Sequence, residues 1–146
     1  MDVISILAMA AVIASPVPEK WIDDIEQVES AGNACAVGDS GKALGSFQWW
    51  STAWADCSKV RKEQGLPVYP YAPGAKSKTR SREYARTWLN HLRQRLSQDI
   101  GREANIAEVW LAYNLGYEGF RKYGFGPGEV PGIKCHKAFA LWKRNP

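Results

Sequence analysis

The sequence feature that most constrains the fold is a long apolar repeat in the second half of the chain. Large apolar side chains recur at every fourth position, at Tyr84, Trp88, Leu92, Leu96 and Ile100. This spacing places side chains on one face of an α-helix. We therefore predict a helix over residues 81–100 that buries this stripe and ends at Gly101. The arginines of the segment fall off the stripe and are expected to face solvent.

Residues 51–79 predict one helix and one loop. Ser51 is a candidate N-cap for a helix over residues 52–64, and Gly65 is its expected stop. Residues 65–79 contain three prolines and two glycines, which predicts a loop without a regular helix.

The remaining segments complete a mainly α fold. Asn105 and Glu108 have the spacing of a capping box, and the helix that they begin can end in a left-handed cap at Gly116. The apolar spacing of this helix directs Ile106, Val109, Trp110 and Tyr113 inward. An amphipathic helix with apolar Phe139 and Trp142 is expected over residues 134–143. The chain has 146 residues, which suits a single domain. We predict a mainly α domain with at most one small β-hairpin, within residues 37–48.

A shorter apolar repeat leads to a carboxyl group. The spacing of Trp21, Ile22, Ile25 and Val28 predicts an amphipathic helix whose last turn carries Glu29. A carboxylate there faces the negative end of the helix dipole, and apolar neighbours would remove it from water. Both effects raise the pKa of a carboxyl group. An acid that keeps its proton near neutral pH can protonate a leaving oxygen, so Glu29 is a candidate general acid.

A second carboxyl group follows in a polar loop. Asp39 lies in a Gly-Asp-Ser-Gly turn, where we expect it to be solvated and ionised. Glycoside hydrolysis uses two carboxyl groups that are held at different pKa values. Glu29 and Asp39 are therefore a candidate catalytic pair. The alternative for Asp39 is that it only stabilises its own turn, as aspartate often does.

Three motifs follow one another between residues 22 and 120. They are Glu29-Ser-Ala-Gly-Asn, Lys42-Ala-Leu-Gly-Ser-Phe-Gln and Ala112-Tyr-Asn-Leu-Gly. In this order they resemble the lysozyme-like superfamily, in particular the soluble lytic transglycosylases and the goose-type lysozymes. The segment from Asp39 to Gln48 is also similar to invertebrate-type lysozymes, and this similarity implies that Asp39 is their second carboxylate.

The resemblance implies a role for each motif residue. Glu29 corresponds to the general acid of these enzymes, and Gln48 corresponds to the glutamine at the floor of their cleft. Tyr113 and Asn114 correspond to the pair that contacts the substrate and the catalytic glutamate. Ser30, which follows the acid, is placed with the substrate-binding residues. The resemblance implies a lysozyme-like fold and no metal or cofactor.

The activity expected from this resemblance is cleavage of the β-1,4 bond between N-acetylmuramic acid and N-acetylglucosamine in peptidoglycan glycan strands. With both carboxylates the reaction is that of a lysozyme, and with Glu29 alone it is that of a lytic transglycosylase. A non-catalytic glycan-binding module is an alternative from another class. The site residues also have plainer interpretations. Glu29 can be a surface carboxylate that makes a hydrogen bond at the end of its helix. Gln48 and Asn114 can be buried amides that satisfy loop backbone groups, and Tyr113 can be a core residue.

The charge distribution bears on the partners. The net charge is +4, and residues 76–102 hold eight Lys and Arg against two acidic residues. Such a surface can attract a polyanion such as the cell wall, or it can be a solvated helix face. No nucleic-acid-binding motif accompanies it, so no nucleic-acid partner is expected. We expect a monomer.

The N-terminus and the cysteines bear on localisation. Residues 3–14 are apolar but too short to span a bilayer, so no stable membrane insertion is expected. Residues 1–15 are a possible signal peptide before a catalytic domain at 16–146, which indicates a secreted or periplasmic protein. The alternative is a buried N-terminal helix, because no Lys or Arg precedes the apolar run.

Three cysteines cannot all form pairs with one another. For an exported chain we expect one disulfide, either Cys35–Cys57 or Cys57–Cys135, and one free thiol. The cysteine spacings match no metal site, and His91 and His136 do not cluster with them.

Overall fold

The computed structural model describes residues 10–146 and confirms the mainly α fold class with one small hairpin. The helices of this range are α1 (Glu19–Ser30), α2 (Ser51–Glu63), α3 (Tyr71–Ala75), α4 (Lys78–Ile100), α5 (Ile106–Leu115), α6 (Tyr117–Arg121) and α7 (Ile133–Arg144). The strands β1 (Val37–Gly38) and β2 (Ala43–Leu44) form an antiparallel pair. Short 3-10 turns cover Asp39–Gly41 and Pro127–Glu129.

Helix α4 is the long central helix that the apolar repeat predicts, but it begins earlier than expected. Ser77 is its N-cap, because its Oγ accepts a hydrogen bond from the N–H of Arg80 at 3.3 Å. Tyr84, Leu92 and Leu96 of the predicted stripe are buried. Trp88 and Ile100 are half-buried at its edges.

Arg93 contradicts the expectation that the arginines of α4 face solvent. Its side chain is buried, and its guanidinium lies 4.5 Å from the centre of the Trp21 ring. Its Nε donates to the carbonyl of Ala104 at 3.0 Å, and a terminal nitrogen donates to the carbonyl of Ser15 at 2.8 Å. These hydrogen bonds and the face of the Trp21 ring compensate for the hydration that the guanidinium loses on burial. Trp21 and Ser15 lie far from Arg93 in the sequence, and Ala104 lies beyond the end of α4, so the pattern within the helix could not reveal its burial.

Acidic side chains from other helices neutralise much of the basic surface predicted for residues 76–102. The ion pairs include Arg82 and Arg86 with Glu19, Arg95 with Glu118, and Arg102 with Glu108. The interpretation as a solvated helix face is therefore the better one for this surface. Glu108 is buried in its pair, whereas Glu19 and Glu118 are exposed.

Two predictions for residues 51–79 are wrong in detail. Ser51 is the first residue of α2, and Trp50 occupies the N-cap position without a side-chain cap bond. The proline-rich loop contains α3, which the sequence analysis excluded. Pro70 is the N-cap of α3 and Pro73 lies in its first turn. Proline is tolerated there because the first N–H groups of a helix have no intrahelical partner.

The capping box of α5 is confirmed. Asn105 Oδ1 accepts from the N–H of Glu108 at 3.0 Å, and Glu108 Oε1 accepts from the N–H of Asn105 at 2.9 Å. Gly116 follows the helix with φ 76° and ψ 155°. It therefore has the positive φ that favours glycine, but it does not form the left-handed helical cap that was predicted.

Helix α7 is confirmed, but its predicted apolar face is wrong. Phe139 and Trp142 are exposed, and their rings stack with centres 5.6 Å apart. The buried residues of α7 are Ala138 and Leu141.

The expected disulfide does not form: all three cysteines lie within residues 10–146 and are free. Cys57 is a core residue whose Sγ donates to the carbonyl of Tyr84 at 3.4 Å. Burial raises the pKa of this thiol to about 12. Cys35 is exposed and Cys135 is half-buried.

Residues 10–18 run along α4 without regular secondary structure. Amide side chains of α4 accept hydrogen bonds from this segment, Gln98 from the N–H of Val12 at 2.9 Å and Asn90 from the N–H of Val17 at 2.7 Å. The alternative of a buried N-terminal helix is wrong for this part of the chain, and residues 1–9 of the predicted signal peptide lie outside the described range. No helix within residues 10–146 combines the length and hydrophobicity of a membrane span.

Candidate active site

One cleft brings together five of the six predicted site residues. It has a volume of about 850 Å³ and lies between the end of α1, the hairpin, the start of α2, the end of α5 and the start of α7. The predicted residues that line it are Glu29, Asp39, Gln48, Tyr113 and Asn114. Ser30 does not line it.

Glu29 lies in the last turn of α1, as predicted. The helix ends at Ala31, whose left-handed conformation (φ 55°, ψ 31°) lets its N–H bond back to the carbonyl of Gln27. The Glu29 carboxyl accepts a hydrogen bond from Trp110 Nε1 at 2.9 Å and a longer one from Asn114 Nδ2 at 3.5 Å. Both donors are on α5, so this helix fixes the position of the carboxyl group in the cleft.

The pKa of Glu29 is raised, chiefly because burial removes the carboxyl group from water. The hydrogen bonds from Trp110 and Asn114 and the charge of Lys137 oppose this rise. The negative charge of Asp39 adds to it. The direction agrees with the prediction, and desolvation is the largest cause.

Trp110 is a further residue of the site that was not predicted, because its position on the apolar face of α5 indicated a core residue. Trp110 is indeed buried, but its indole N–H points to the carboxyl group. The spacing of Trp110 and Asn114 could have indicated its role. Trp110 precedes Asn114 by four residues, which places both side chains on the same face of the helix.

Asn114 can serve both protonation states of Glu29. Its Nδ2 faces the carboxyl group, and its buried Oδ1 has no hydrogen-bond partner among the described residues. An amide carries both a donor and an acceptor. In its present orientation the amide donates to the carboxylate. After a half-turn its oxygen could accept a hydrogen bond from the O–H of the carboxylic acid.

Asp39 lies at the tip of the hairpin, as predicted, and is exposed. It and Ser40 have positive φ values of 49° and 56°, which aspartate tolerates better than most residues. The carboxylate accepts a hydrogen bond from Trp50 Nε1 at 3.0 Å. Lys42 lies over the face of the Trp50 ring, with its Nζ 5.5 Å from the ring centre.

Gln48 lines the cleft, but its amide group holds the loop together. Its Nε2 donates to the carbonyl of Gly45 at 2.9 Å and to that of Ala36 at 3.3 Å. Its Oε1 lies so close to Gly38 that a Cβ there would approach it to 2.3 Å. These contacts fit the plainer interpretation of Gln48, in which its amide satisfies backbone groups of the loop.

Ser30 also holds the loop. Its Oγ donates to the carbonyl of Ser46 at 2.7 Å and accepts from the N–H of Asn33 at 3.0 Å. The hydroxyl group is engaged on both sides, so it ties the end of α1 to the segment after β2.

Tyr113 and Trp49 form part of an aromatic floor. The hydroxyl of Tyr113 donates to the carbonyl of Phe47 at 2.6 Å. Its ring meets Trp49 edge-on at 5.5 Å, and Trp49 meets Trp54 in the same way at 5.3 Å. Such contacts stabilise a packed cluster. This cluster joins α2 and α5 beneath the cleft.

The next question is whether side chains that can bind a metal ion lie close together. Among residues 10–146, no three His, Cys, Asp or Glu side chains lie together in a way that could hold a metal ion.

Comparisons with protein-family models, with curated proteins and with solved structures found no match to this chain.

Proposed function

We propose that this protein cleaves the glycan strands of peptidoglycan at the bond between N-acetylmuramic acid and N-acetylglucosamine, with Glu29 as the general acid. The observation that carries the proposal is the environment of Glu29. A desolvated carboxyl group with a raised pKa is held by two N–H donors in an open cleft. This is the environment that general acid catalysis of glycoside cleavage requires.

The reaction begins with proton transfer from Glu29 to the glycosidic oxygen. The bond from the anomeric carbon to that oxygen breaks, and positive charge develops on the sugar ring. In the hydrolytic form Asp39 stabilises or captures this centre. Water then attacks the anomeric carbon and gives a proton to the Glu29 carboxylate, which restores the acid. Lysozyme is the type case for such a pair of carboxyl groups, and the assignment of roles is borrowed from it.

Trp50 adds support from substrate binding. Its indole is 43% exposed and lines the cleft beside Asp39. An exposed aromatic ring in a cleft offers a flat apolar surface with a polar edge. A sugar ring can stack on that surface.

A second candidate is a lytic transglycosylase on the same site. The observation that favours it is that Asp39 is exposed and already accepts a hydrogen bond from Trp50. In this form Glu29 first donates its proton and then, as a carboxylate, accepts a proton from the 6-hydroxyl of the muramic acid residue. The hydroxyl oxygen attacks the anomeric carbon and forms a 1,6-anhydro ring.

Product analysis distinguishes the candidates. Purified peptidoglycan is digested with the wild type, with Asp39→Asn and with the control Asp56→Asn, which alters an exposed aspartate outside the cleft. The soluble products are identified by mass spectrometry. Reducing products that require Asp39 support the lysozyme, and anhydro products that do not require it support the transglycosylase. Binding to the strands without any cleavage by the wild type would overturn the proposal in favour of a glycan-binding module.

A further inference from the structure

The cleft carries a set of ammonium groups that the proposed reaction does not use. Lys42, Lys134 and Lys137 all line it. Lys134 and Lys137 lie one turn apart on α7, so their side chains leave the same side of that helix. Lys42 comes from the hairpin, on a separate segment of the chain. Two different elements therefore direct positive charge into one cavity.

These lysines differ from the arginines of α4 in forming no ion pair, although the charge of Lys137 acts on Glu29. None of the three forms an ion pair with a residue of the range 10–146, whereas four arginines of the α4 region pair with Glu19, Glu108 or Glu118. Glu29 and Asp39 are the acidic residues that line the cleft with these three lysines, so protonation of Glu29 leaves Asp39 as the one carboxylate beside them. The three ammonium groups repel one another, and binding of an anionic ligand between them would offset that repulsion.

Lys42 is also held in place. Its Nζ lies over the ring of Trp50, and the indole N–H of Trp50 bonds to Asp39. A cation above an aromatic face is attracted to it. This arrangement positions the ammonium group beside the surface that we propose for a stacked sugar.

We propose that Lys42, Lys134 and Lys137 select glycan strands that carry carboxylates over neutral strands of the same length. The inference rests on the proposed function, because it identifies the carboxylates as those attached to muramic acid. These are the lactyl carboxylate of a strand without peptide and the carboxylates of the peptide stem. A polymer of N-acetylglucosamine alone carries neither group.

Binding to a catalytically silenced protein tests the selection without cleavage. The Glu29→Gln variant is titrated with muramic-acid strands stripped of peptide, with strands that keep their stems, and with chitin oligosaccharides of equal length. Tryptophan fluorescence or calorimetry reports the dissociation constant. We expect the carboxylate-bearing strands to bind more tightly than chitin and to lose affinity with increasing salt. The first two ligands distinguish the lactyl carboxylate from the stem carboxylates.

The role of the lysines is tested in the same background. The double substitution Lys134→Gln and Lys137→Gln should weaken binding of the carboxylate-bearing strands about tenfold. The difference in affinity between these strands and chitin should therefore become smaller. The matched control is Lys59→Gln with Lys62→Gln, an exposed pair on α2 with the same spacing, which should leave that advantage unchanged. Equal binding of charged and neutral strands, or an equal loss in the control, would overturn the inference.

The two proposals can fail separately. Absence of cleavage by the wild type contradicts the proposed function and leaves the binding preference measurable. Cleavage by the wild type together with equal affinity for chitin and for carboxylate-bearing strands contradicts the inference alone.

Discussion

Trp110 and Glu29 are 81 residues apart in the sequence, and the indole N–H of one donates to the carboxyl group of the other at 2.9 Å. The hydrogen bond stabilises the carboxylate, while burial of the same group favours the acid. The pKa of Glu29 is the balance of these two effects. Burial has the larger effect on the pKa, and the hydrogen bond from Trp110 of α5 limits the rise.

Replacing Trp110 by phenylalanine should raise the pKa of Glu29 further. The variant keeps an aromatic ring but loses the donor that stabilises the carboxylate. The basic limb of the pH profile of peptidoglycan cleavage should therefore move to higher pH. Loss of a buried hydrogen bond and of ring volume should also lower the free energy of unfolding by about 1–3 kcal/mol. Trp142→Phe, at an exposed tryptophan outside the cleft, is the control and should leave the profile unchanged.

Glu29 should make the protein less stable as the pH rises. Its pKa in the folded state is above the ordinary value of 4.5, so between the two values the folded state binds more protons than the unfolded state. The contribution of Glu29 to stability is present below the unfolded pKa and is lost as the pH rises through the folded pKa. Glu29→Gln cannot ionise. Its free energy of unfolding relative to the wild type should therefore increase from pH 4 to pH 8, as measured by urea denaturation. A constant difference between the two proteins would contradict this prediction.

Gly45 should tolerate no side chain, whereas Gly41 should tolerate one with a modest loss. Both have positive φ, of 80° and 90°. A Cβ at Gly45 would lie 1.8 Å from the carbonyl oxygen of Ala75, but a Cβ at Gly41 would meet nothing within 4 Å. Gly41→Ala should cost about 1 kcal/mol of stability from backbone strain alone. Gly45→Ala should cost about 3 kcal/mol or more, because the backbone must move. Thermal denaturation of the two variants measures the difference, and equal losses would show that the contact with Ala75 is unimportant.

The cysteines should react with a thiol reagent in the order of their exposure. Cys35 is exposed and should react first, and the half-buried Cys135 should react more slowly. Cys57 is buried and its pKa is about 12, so it should react only after denaturation. Absorbance titration with Ellman's reagent, with and without denaturant, checks the order. A Cys35→Ala variant should lose the fast phase, and rapid reaction of Cys57 in the native protein would contradict its burial.

The sequence predicted those parts of the fold that local patterns determine. The apolar stripe of α4 and the capping box of Asn105 and Glu108 are short-range signals, and both are present. Helix α3 was missed because three prolines suggested a loop, although two of them stand where a helix tolerates proline. The burial of Arg93 was missed because its partners lie outside the helix, at Ala104 and at the distant Ser15.

The same distinction applies to the site. The position of Glu29 at the end of α1 and that of Asp39 in a hairpin turn followed from local spacing. The donor to Glu29 could not be predicted in this way, because apolar periodicity assigned Trp110 to the core and says nothing about the direction of an indole N–H. The hydroxyl of Ser30 and the amide of Gln48 bind loop carbonyls. A motif alone does not distinguish such residues from those that face a substrate.

The most direct test of the central claim is the release of soluble fragments from purified peptidoglycan by the wild type and by Glu29→Gln. Glu63→Gln, at an exposed glutamate that ends α2, is the matched control. If Glu29 is the general acid, its variant should lose activity by a factor of at least about 100, while Glu63→Gln keeps wild-type activity. Equal activity of the wild type and Glu29→Gln would contradict the claim that Glu29 supplies the proton.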